Sequence, residues 1–451
     1  MDANVKHDDY SDSNPLSPPI IRKNIKPRQD MRVYPASVDT QGLGELQVNV
    51  TSAAGNRPID AATVTITPQS ANASGSAEQL RTGANGKTDS ITLPTPPLDY
   101  SLTPGSDMPY SEYQISVTAP GFEPLIISGA EILPTVQAIQ NITLDPSVPA
   151  EEGTAEEYVI PDHTLYGEYP PKIVEDEVKE VESSDEIVLS RVVIPEFIVV
   201  HDGAPTNTSA QNYYVRYKDY IKNVASSEIY ATWPESTIYA NVLAIQSFTL
   251  NRVYTEWYRN KGYNFTITSS TAYDHKFIPE RNIFNTISTV VDSIFNNYLS
   301  RPNVKQPILT QYCDGKRVSC PGLMTQWGSM SLGEDGLTPI EILRYYYGEN
   351  MYINSTDQIS GVPSSWPGSN LTIGSSGSKV LQLQEQLNAI ANVYSNIPKI
   401  AADGSYGQRT ADSVRAFQQE FDLPQTGVVD FATWYKISGI YVAITRIAEY
   451  S

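Results

Sequence analysis

Residues 217–254, YKDYIKNVASSEIYATWPESTIYANVLAIQSFTLNRVY, decide what the middle of this chain folds into. Tyr217, Tyr220, Ile221 and Val224 recur at the three- and four-residue spacing of one helix face. A second run carries Ile238, Val242, Ile245, Thr249, Val253 and Trp257 and is entered near Pro234, a residue favoured in a helix's first turn. Glu228 falls at the junction between the two. A carboxyl group there can face a groove, and partial burial beside Tyr230 and Trp233 would raise its proton affinity toward the range of a general acid. Spacing alone favours an exposed or capping glutamate over this reading.

Length and charge bound what surrounds this element. A chain of 451 residues holds two to four domains, each able to bury its own core. No run approaches the roughly 18–20 apolar residues of a membrane helix. The first 30 residues, MDANVKHDDYSDSNPLSPPIIRKNIKPRQD, lack the apolar core of a classical signal peptide. The net charge of −20 is concentrated at the front: residues 1–190 hold 29 acidic side chains against 11 basic ones, and the remainder hold 22 against 20. No basic face is left for phosphates, which argues against nucleic acid, and neither nucleic acid nor membrane is expected as a partner. The near-neutral remainder approaches an anionic polymer without strong repulsion.

Along the chain, residues 1–41 are polar and are expected to be a disordered, presequence-like stretch. From Gly44 the pattern turns to period two, in GELQVNVTS, ATVTITP, TDSITLP, YQISVTAPGF and QAIQNITL, with turn residues between. An antiparallel β-sandwich of about seven strands over residues 42–145 is expected. Gly55, Pro58, Ile59, Thr82, Gly86, Thr88, Tyr113, Ala119, Pro120, Gly121 and Phe122 resemble transthyretin-like or carboxypeptidase-regulatory-like modules, which are accessory and carry no chemistry of their own. Residues 146–190, acidic and proline-containing, read as a solvated linker of the sort proteases cut. Residues 191–360 would hold the chemistry, in an α+β arrangement, and residues 370–445 a small separate domain that a resemblance given below makes three-helical.

The stretch VASSEIYATWPESTIYANVLAIQSFTLNRVY resembles the core of the SpoIID family, whose usual form runs VVASEMP, a Trp-Pro spacer, then EALKAQAVAARTYAL. The family's second signature, GMSQWGAYGMA followed by YEEILKYYY, is matched by GLMTQWGSMSLGEDGLTPIEILRYYYG, Gly322 to Gly348. Members are peptidoglycan lytic transglycosylases or amidase-stimulating domains, and the resemblance implies that Glu228 is the catalytic acid. Tyr239, Asn241 and Gln246 replace the family's Lys, Gln and Arg, and Tyr230 replaces its Pro. The implied substrate contacts are Gln246, Gln326, Trp327 and Tyr230, with Gln326 and Trp327 the better matched.

One carboxyl group suits the lytic reaction, whereas hydrolases use two about 5–10 Å apart. The same acid protonates the glycosidic oxygen and then accepts the proton of the muramic acid 6-hydroxyl as the 1,6-anhydro ring closes. No cofactor is required. Asp219, Glu235 and Asp274 are available as helpers but read as surface charges. Cys313 and Cys320, in QYCDGKRVSCPG, are the only cysteines; with His275 and His201 they would make a zinc site, as some members have near this place. A disulfide or two free thiols are equally open, and the spacing matches no recognised zinc motif.

The last section carries one helical stripe at Val380, Leu383, Leu387 and Ile390 and another at Val414, Phe417 and Phe421. DGSYGQRT, Asp403 to Thr410, lies between them and TGVVDFATW follows. This resembles the peptidoglycan-binding type 1 domain, and the resemblance places wall contacts on loop side chains, Asp403, Tyr406 and Arg409. The order of all the parts is similar to that of the spore cortex-lytic enzymes of anaerobic spore formers. It implies an inactive proform stored in the spore outside its core, cut at germination by a subtilisin-like Csp protease between Leu144 and Glu157. Cortex peptidoglycan bearing muramic-δ-lactam would be the substrate. An N-acetylmuramoyl-L-alanine amidase, an amidase enhancer and a non-catalytic wall-binding protein are the rival functions.

Overall fold

The alternation that begins at Gly44 builds two packed sheets. The structure, a computed structural model, describes residues 42–53, 57–147, 155–179, 191–359, 367 and 369–445. The expected disorder of residues 1–41 lies outside them, as do residues 148–154 and 180–190 of the acidic stretch. The strands are β1 (Gly42–Ser52), β2 (Arg57–Pro58), β3 (Thr63–Pro68), β4 (Glu78–Arg81), β5 (Ile91–Thr95), β6 (Ser111–Thr118), β7 (Leu125–Ile132), β8 (Gln137–Leu144) and β9 (Glu156–Val159). A short helix, α1 (Asp99–Leu102), joins β5 to β6. In one sheet β1 runs parallel to β8 and antiparallel to β5 and β2; the other has the order β4-β3-β6-β7-β9 with β7 and β9 parallel, so the sandwich is mixed and not antiparallel as expected. Leu46, Val48 and Val50 of β1 meet Val64 and Ile66 of β3 and Ile115 and Val117 of β6 in one core. Each such burial contributes about 1.5–3 kcal/mol, and the intervening polar residues face outward.

The second region supplies the missing edge. Its β10 (Phe197–His201) lies between β11 (Asn212–Arg216) and β12 (Ile267–Thr268). Its β13 (Ile283–Phe284) leaves it and pairs antiparallel with β8 of the sandwich. Beside this ladder the Asn282 amide both accepts from the Glu131 N–H at 3.0 Å and donates to the Glu131 carbonyl at 2.8 Å, and Arg281 pairs with the buried Glu131 carboxylate. The sandwich edge is thereby covered and not left to solvent.

The helical spacing of residues 217–254 is realised as α2 (Tyr217–Glu228) and α3 (Glu235–Tyr254). Almost every residue from Thr237 to Arg252 in α3 is buried, the pattern of a helix enclosed on all sides. Around it pack α2, α4 (Asn285–Ile294), β14 (Asn297–Ser300), α5 (Gln326–Glu334) and α6 (Pro339–Tyr347). β15 (Tyr312–Cys313) pairs parallel with β16 (Met324–Thr325), and β14 pairs with β17 (Tyr352–Ser355). Two glycines let α5 approach closely. A Cβ at Gly333 would sit 2.0 Å from Thr237 Oγ1, and one at Gly328 would sit 2.2 Å from the Tyr346 hydroxyl. Helix α6 starts with a capping box between Thr338 and Glu341 and with Pro339 in its first turn.

The acidic stretch departs from its expected role as a solvated linker. Residues 156–159 join the sandwich sheet parallel to β7, and residues 160–179 lie as a strap against the α3 region. The Thr164 N–H donates to the Ser227 carbonyl, Ile173 to Ala272, and Leu309 donates back to Glu177. Glu175 receives a two-pronged pair from Arg252, and Glu177 one from Arg301. Local composition shows the acids; their basic partners lie far along the chain.

Three helices close the chain, α7 (Ser378–Ile390), α8 (Gln408–Glu420) and α9 (Phe431–Thr445), around Val380, Leu383, Leu387, Val414, Phe417 and Trp434. Phe431 and Tyr435 of α9 stack on Phe295, at ring-centre distances of 5.5 and 4.7 Å. No helix among the described residues is long and apolar enough to cross a membrane.

Candidate functional site

Glu228 is the last residue of α2, and the chain turns extended immediately after it. The helix's negative end and the loss of water both disfavour a carboxylate there. The residue is 3% exposed. Burial raises its proton affinity above the usual glutamate range; the Lys172 ammonium, the Tyr312 hydroxyl and the Lys276 backbone and side chain pull in the opposite direction. Its Oε1 accepts the Lys276 N–H at 2.6 Å, which fixes the carboxyl group, and its carbonyl accepts from Gln326 Nε2 at 2.8 Å.

The carboxyl group opens onto a solvent-connected pocket of about 60 Å³. Tyr312, Cys313, Asp314 and Gln326 form one wall, and Thr164, Tyr169, Pro170 and Lys172 of the strap form another. Asp314 is the second carboxylate of this pocket, and its oxygens accept the N–H groups of Lys316, Arg317 and Val318 at 3.2, 2.9 and 2.8 Å. It holds the loop and has little left for a substrate.

The expected substrate residues divide. Gln326 lines the pocket, but its amide is engaged by the Glu228 carbonyl. Trp327 and Tyr230 do not line it: they are buried and pack with Trp233, with ring centres 5.0–6.0 Å apart, beneath the turn that carries Glu228. These aromatics support the acid from below. Gln246 is fully buried in α3 and is not part of the pocket wall. Among the proposed helpers, Asp219 and Glu235 are exposed on α2 and α3. Asp274 is not a surface charge. It is fully buried, with bonds from Arg252 at 2.7 Å, Tyr258 at 2.6 Å and Thr268 at 2.7 and 2.9 Å.

Cys313 and Cys320 are joined as a disulfide, which removes both thiolates from the zinc reading. His275 is sealed between the rings of Phe248 and Tyr312, with Nδ1 3.1 Å from the Tyr220 hydroxyl, and burial pushes its pKa well down. His201 bonds Asn212 and stacks on Phe265. No cluster of three metal-ligating side chains occurs among the described residues.

In the C-terminal helices, Tyr406 is buried and its hydroxyl donates to the Gly427 carbonyl at 3.0 Å, so it is core and not a wall contact. The Asp403 carboxylate accepts from the Ser405 N–H and from Gln384, which hold its pKa down and shape the loop. Arg409 is exposed at the start of α8. Sequence reasoning missed Lys172, Lys276, Tyr312 and Asp314 around the acid; Tyr312 and Asp314 flank Cys313 and Lys276 follows His275, whereas Lys172 carried no signal.

Residues 376–437 match the model of a putative peptidoglycan binding domain, so the C-terminus carries that domain. A search among curated proteins returns no match. Among solved structures, the wild-type catechol 1,2-dioxygenase of Acinetobacter radioresistens is 16% identical, over 26% of this chain and 58% of its own, with a TM-score of 0.18. The 3-chlorocatechol 1,2-dioxygenase of Rhodococcus opacus 1CP is 11% identical over 25% and 62%, at 0.19. The hydroxyquinol 1,2-dioxygenase of Pseudomonas putida DLL-E4 is 10% identical over 24% and 58%, at 0.18. The chain thus spans less than two thirds of the length of these structures, and likeness at this level carries no argument.

Proposed function

We propose that the chain is the proenzyme of a peptidoglycan lytic transglycosylase of the spore cortex, of the SleC kind, in which Glu228 is the one catalytic carboxyl group. The observation that carries this reading is a buried acid of raised proton affinity at a pocket whose other carboxylate is committed to its own loop. Protonated Glu228 gives its proton to the oxygen of the MurNAc–GlcNAc bond as that bond breaks. The 6-hydroxyl oxygen then bonds to C1, its proton passes to the Glu228 carboxylate, and the acid is restored. No water is consumed, and the product ends in 1,6-anhydromuramic acid. The Lys276 N–H holds the carboxyl group in place through both transfers.

The peptidoglycan-binding domain at residues 376–437 supports a wall substrate by concentrating the chain on it. The SpoIID-like motifs favour the transglycosylase over an amidase, an amidase enhancer or a passive wall-binding protein. The sandwich fits an inhibitory prosegment. It grips the turn after Glu228 through Trp233 Nε1, which donates to the Ser101 carbonyl at 2.9 Å, and it pairs separately with β13. In this reading a subtilisin-like Csp protease cuts between Leu144 and Glu157 at germination. The enzyme then degrades cortex bearing muramic-δ-lactam, in the spore outside the core. Digestion of isolated cortex by the cut chain tests it. Anhydromuramic ends are expected, and they disappear with Glu228→Gln; stem peptides released without anhydro ends would transfer the case to the amidase.

A further inference from the structure

The strap, read from composition as a linker, brings one cation to the acid. Lys172 lines the same pocket as Glu228. Its ammonium donates to the Asp274 carbonyl and lies 5.0 Å from the ring centre of Tyr312 and 5.4 Å from that of Phe248. Residues 172–179 are fastened to the α3 region at Ile173, Glu175, Glu177 and Lys179, through Ala272, Gln311, Arg252, Arg301, Leu309 and Gln306. Toward the sandwich the anchors are β9, a bond from the Ile160 N–H to the Ser128 carbonyl, one from the His163 N–H to the Tyr110 hydroxyl, and the Tyr166 ring against Tyr110.

We propose that Lys172 is a positioning residue for Glu228, and that the strap bearing it belongs to the catalytic unit and not to the removable part. This rests on the reading of Glu228 as the acid. The ammonium, held by the Asp274 carbonyl and two rings, stabilises the carboxylate that must accept the 6-hydroxyl proton. Glu228 also faces Lys276, whose N–H already bonds it, and the hydroxyls of Tyr312, Tyr220 and Tyr169. Asp274 and Arg252 neutralise one another behind Lys172, and Asp314 and Arg317 stand on the opposite wall. Lys172 is the one cation of this set contributed by the strap.

The test uses the full chain carrying a specific protease site between residues 147 and 155, or one between residues 179 and 191. With Lys172→Met, kcat for anhydro product falls about tenfold, and the alkaline limb of kcat/KM moves to higher pH, because an acid without its cation holds its proton longer. Lys172→Arg restores most of the rate. The first cut, followed by removal of the sandwich, permits activity, whereas the second, followed by removal of everything N-terminal to it including the strap, abolishes it. In the uncut chain, carbon-13 NMR of the Glu228 carboxyl, assigned with Glu228→Gln, shows a higher titration midpoint in Lys172→Met. An unmoved midpoint, or full activity after the second cut, overturns the proposal. The NMR arm reads out even if no anhydro product forms, and that failure would count against the transglycosylase alone.

Discussion

Arg252 is the most demanding buried group of the α3 region, and its removal gives the clearest test of how the strap is held. Its guanidinium is fully buried; Nε donates to Asp274 at 2.7 Å, and the two terminal nitrogens donate to Glu175 at 3.1 and 2.6 Å. Arg252→Met keeps the stem and removes the charge, which leaves two carboxylates without their cation. Breaking one side of a buried pair costs about 3–5 kcal/mol. Asp274 keeps Tyr258 and Thr268, and Glu175 keeps Lys179, which sets the expectation at the lower end, about 3 kcal/mol. At about 2–4 °C per kcal/mol for a unit of this size, the melting temperature drops by roughly 6–12 °C. Calorimetry measures it, and hydrogen exchange at residues 172–179 reports whether the strap loosens first. Glu175→Gln alone costs about 1–2 kcal/mol, and in the double variant the two losses do not add. A melting temperature within about 2 °C of the parent, or unchanged exchange in the strap, would refute the reasoning.

Asn282→Ala removes both bonds to the Glu131 backbone, about 2 kcal/mol, and after a cut between residues 147 and 155 the sandwich should separate more readily on size exclusion than in the parent. Burial pushes both Glu131 and Glu280 up to about 7 from 4.5. A raised folded-state value means that stability is greatest below the unfolded value and is lost as pH rises from about 4.5 toward 7. Glu280→Gln is therefore expected to raise the melting temperature relative to the parent by more at pH 8 than at pH 5. In the C-terminal domain, Arg409→Ala should weaken sedimentation with isolated cell walls without changing the melting temperature. Tyr406→Phe should do the reverse, losing about 1 kcal/mol with the Gly427 bond and keeping wall affinity.

The parts legible in the sequence are those fixed by local periodicity. Helices α2 and α3 run where the apolar spacing placed them, and the alternation from Gly44 onward became strands, because burial of one face is written in neighbouring residues. Glu228 was legible for the same reason, as the break between two helical runs. What surrounds it was not. Lys172 and Tyr312 reach the acid through packing between distant segments, and a charged stretch such as residues 175–179 looks solvated until Arg252 and Arg301 are brought beside it. Tyr406, Trp327 and Tyr230 were misread in the opposite sense. An aromatic in or near a turn suits a ligand and a core equally well, and only the fold shows the rings turned inward.

The central claim is that one carboxyl group, Glu228, breaks the glycan. The direct measurement is mass spectrometry of muropeptides released from isolated cortex by the chain cut between residues 147 and 155 and freed of its sandwich, beside the same protein with Glu228→Gln. The account predicts 1,6-anhydromuramic ends from the first and none from the second, with wall binding kept by both. Anhydro ends that persist in Glu228→Gln, or products that carry reducing muramic ends or free stem peptides, would contradict it.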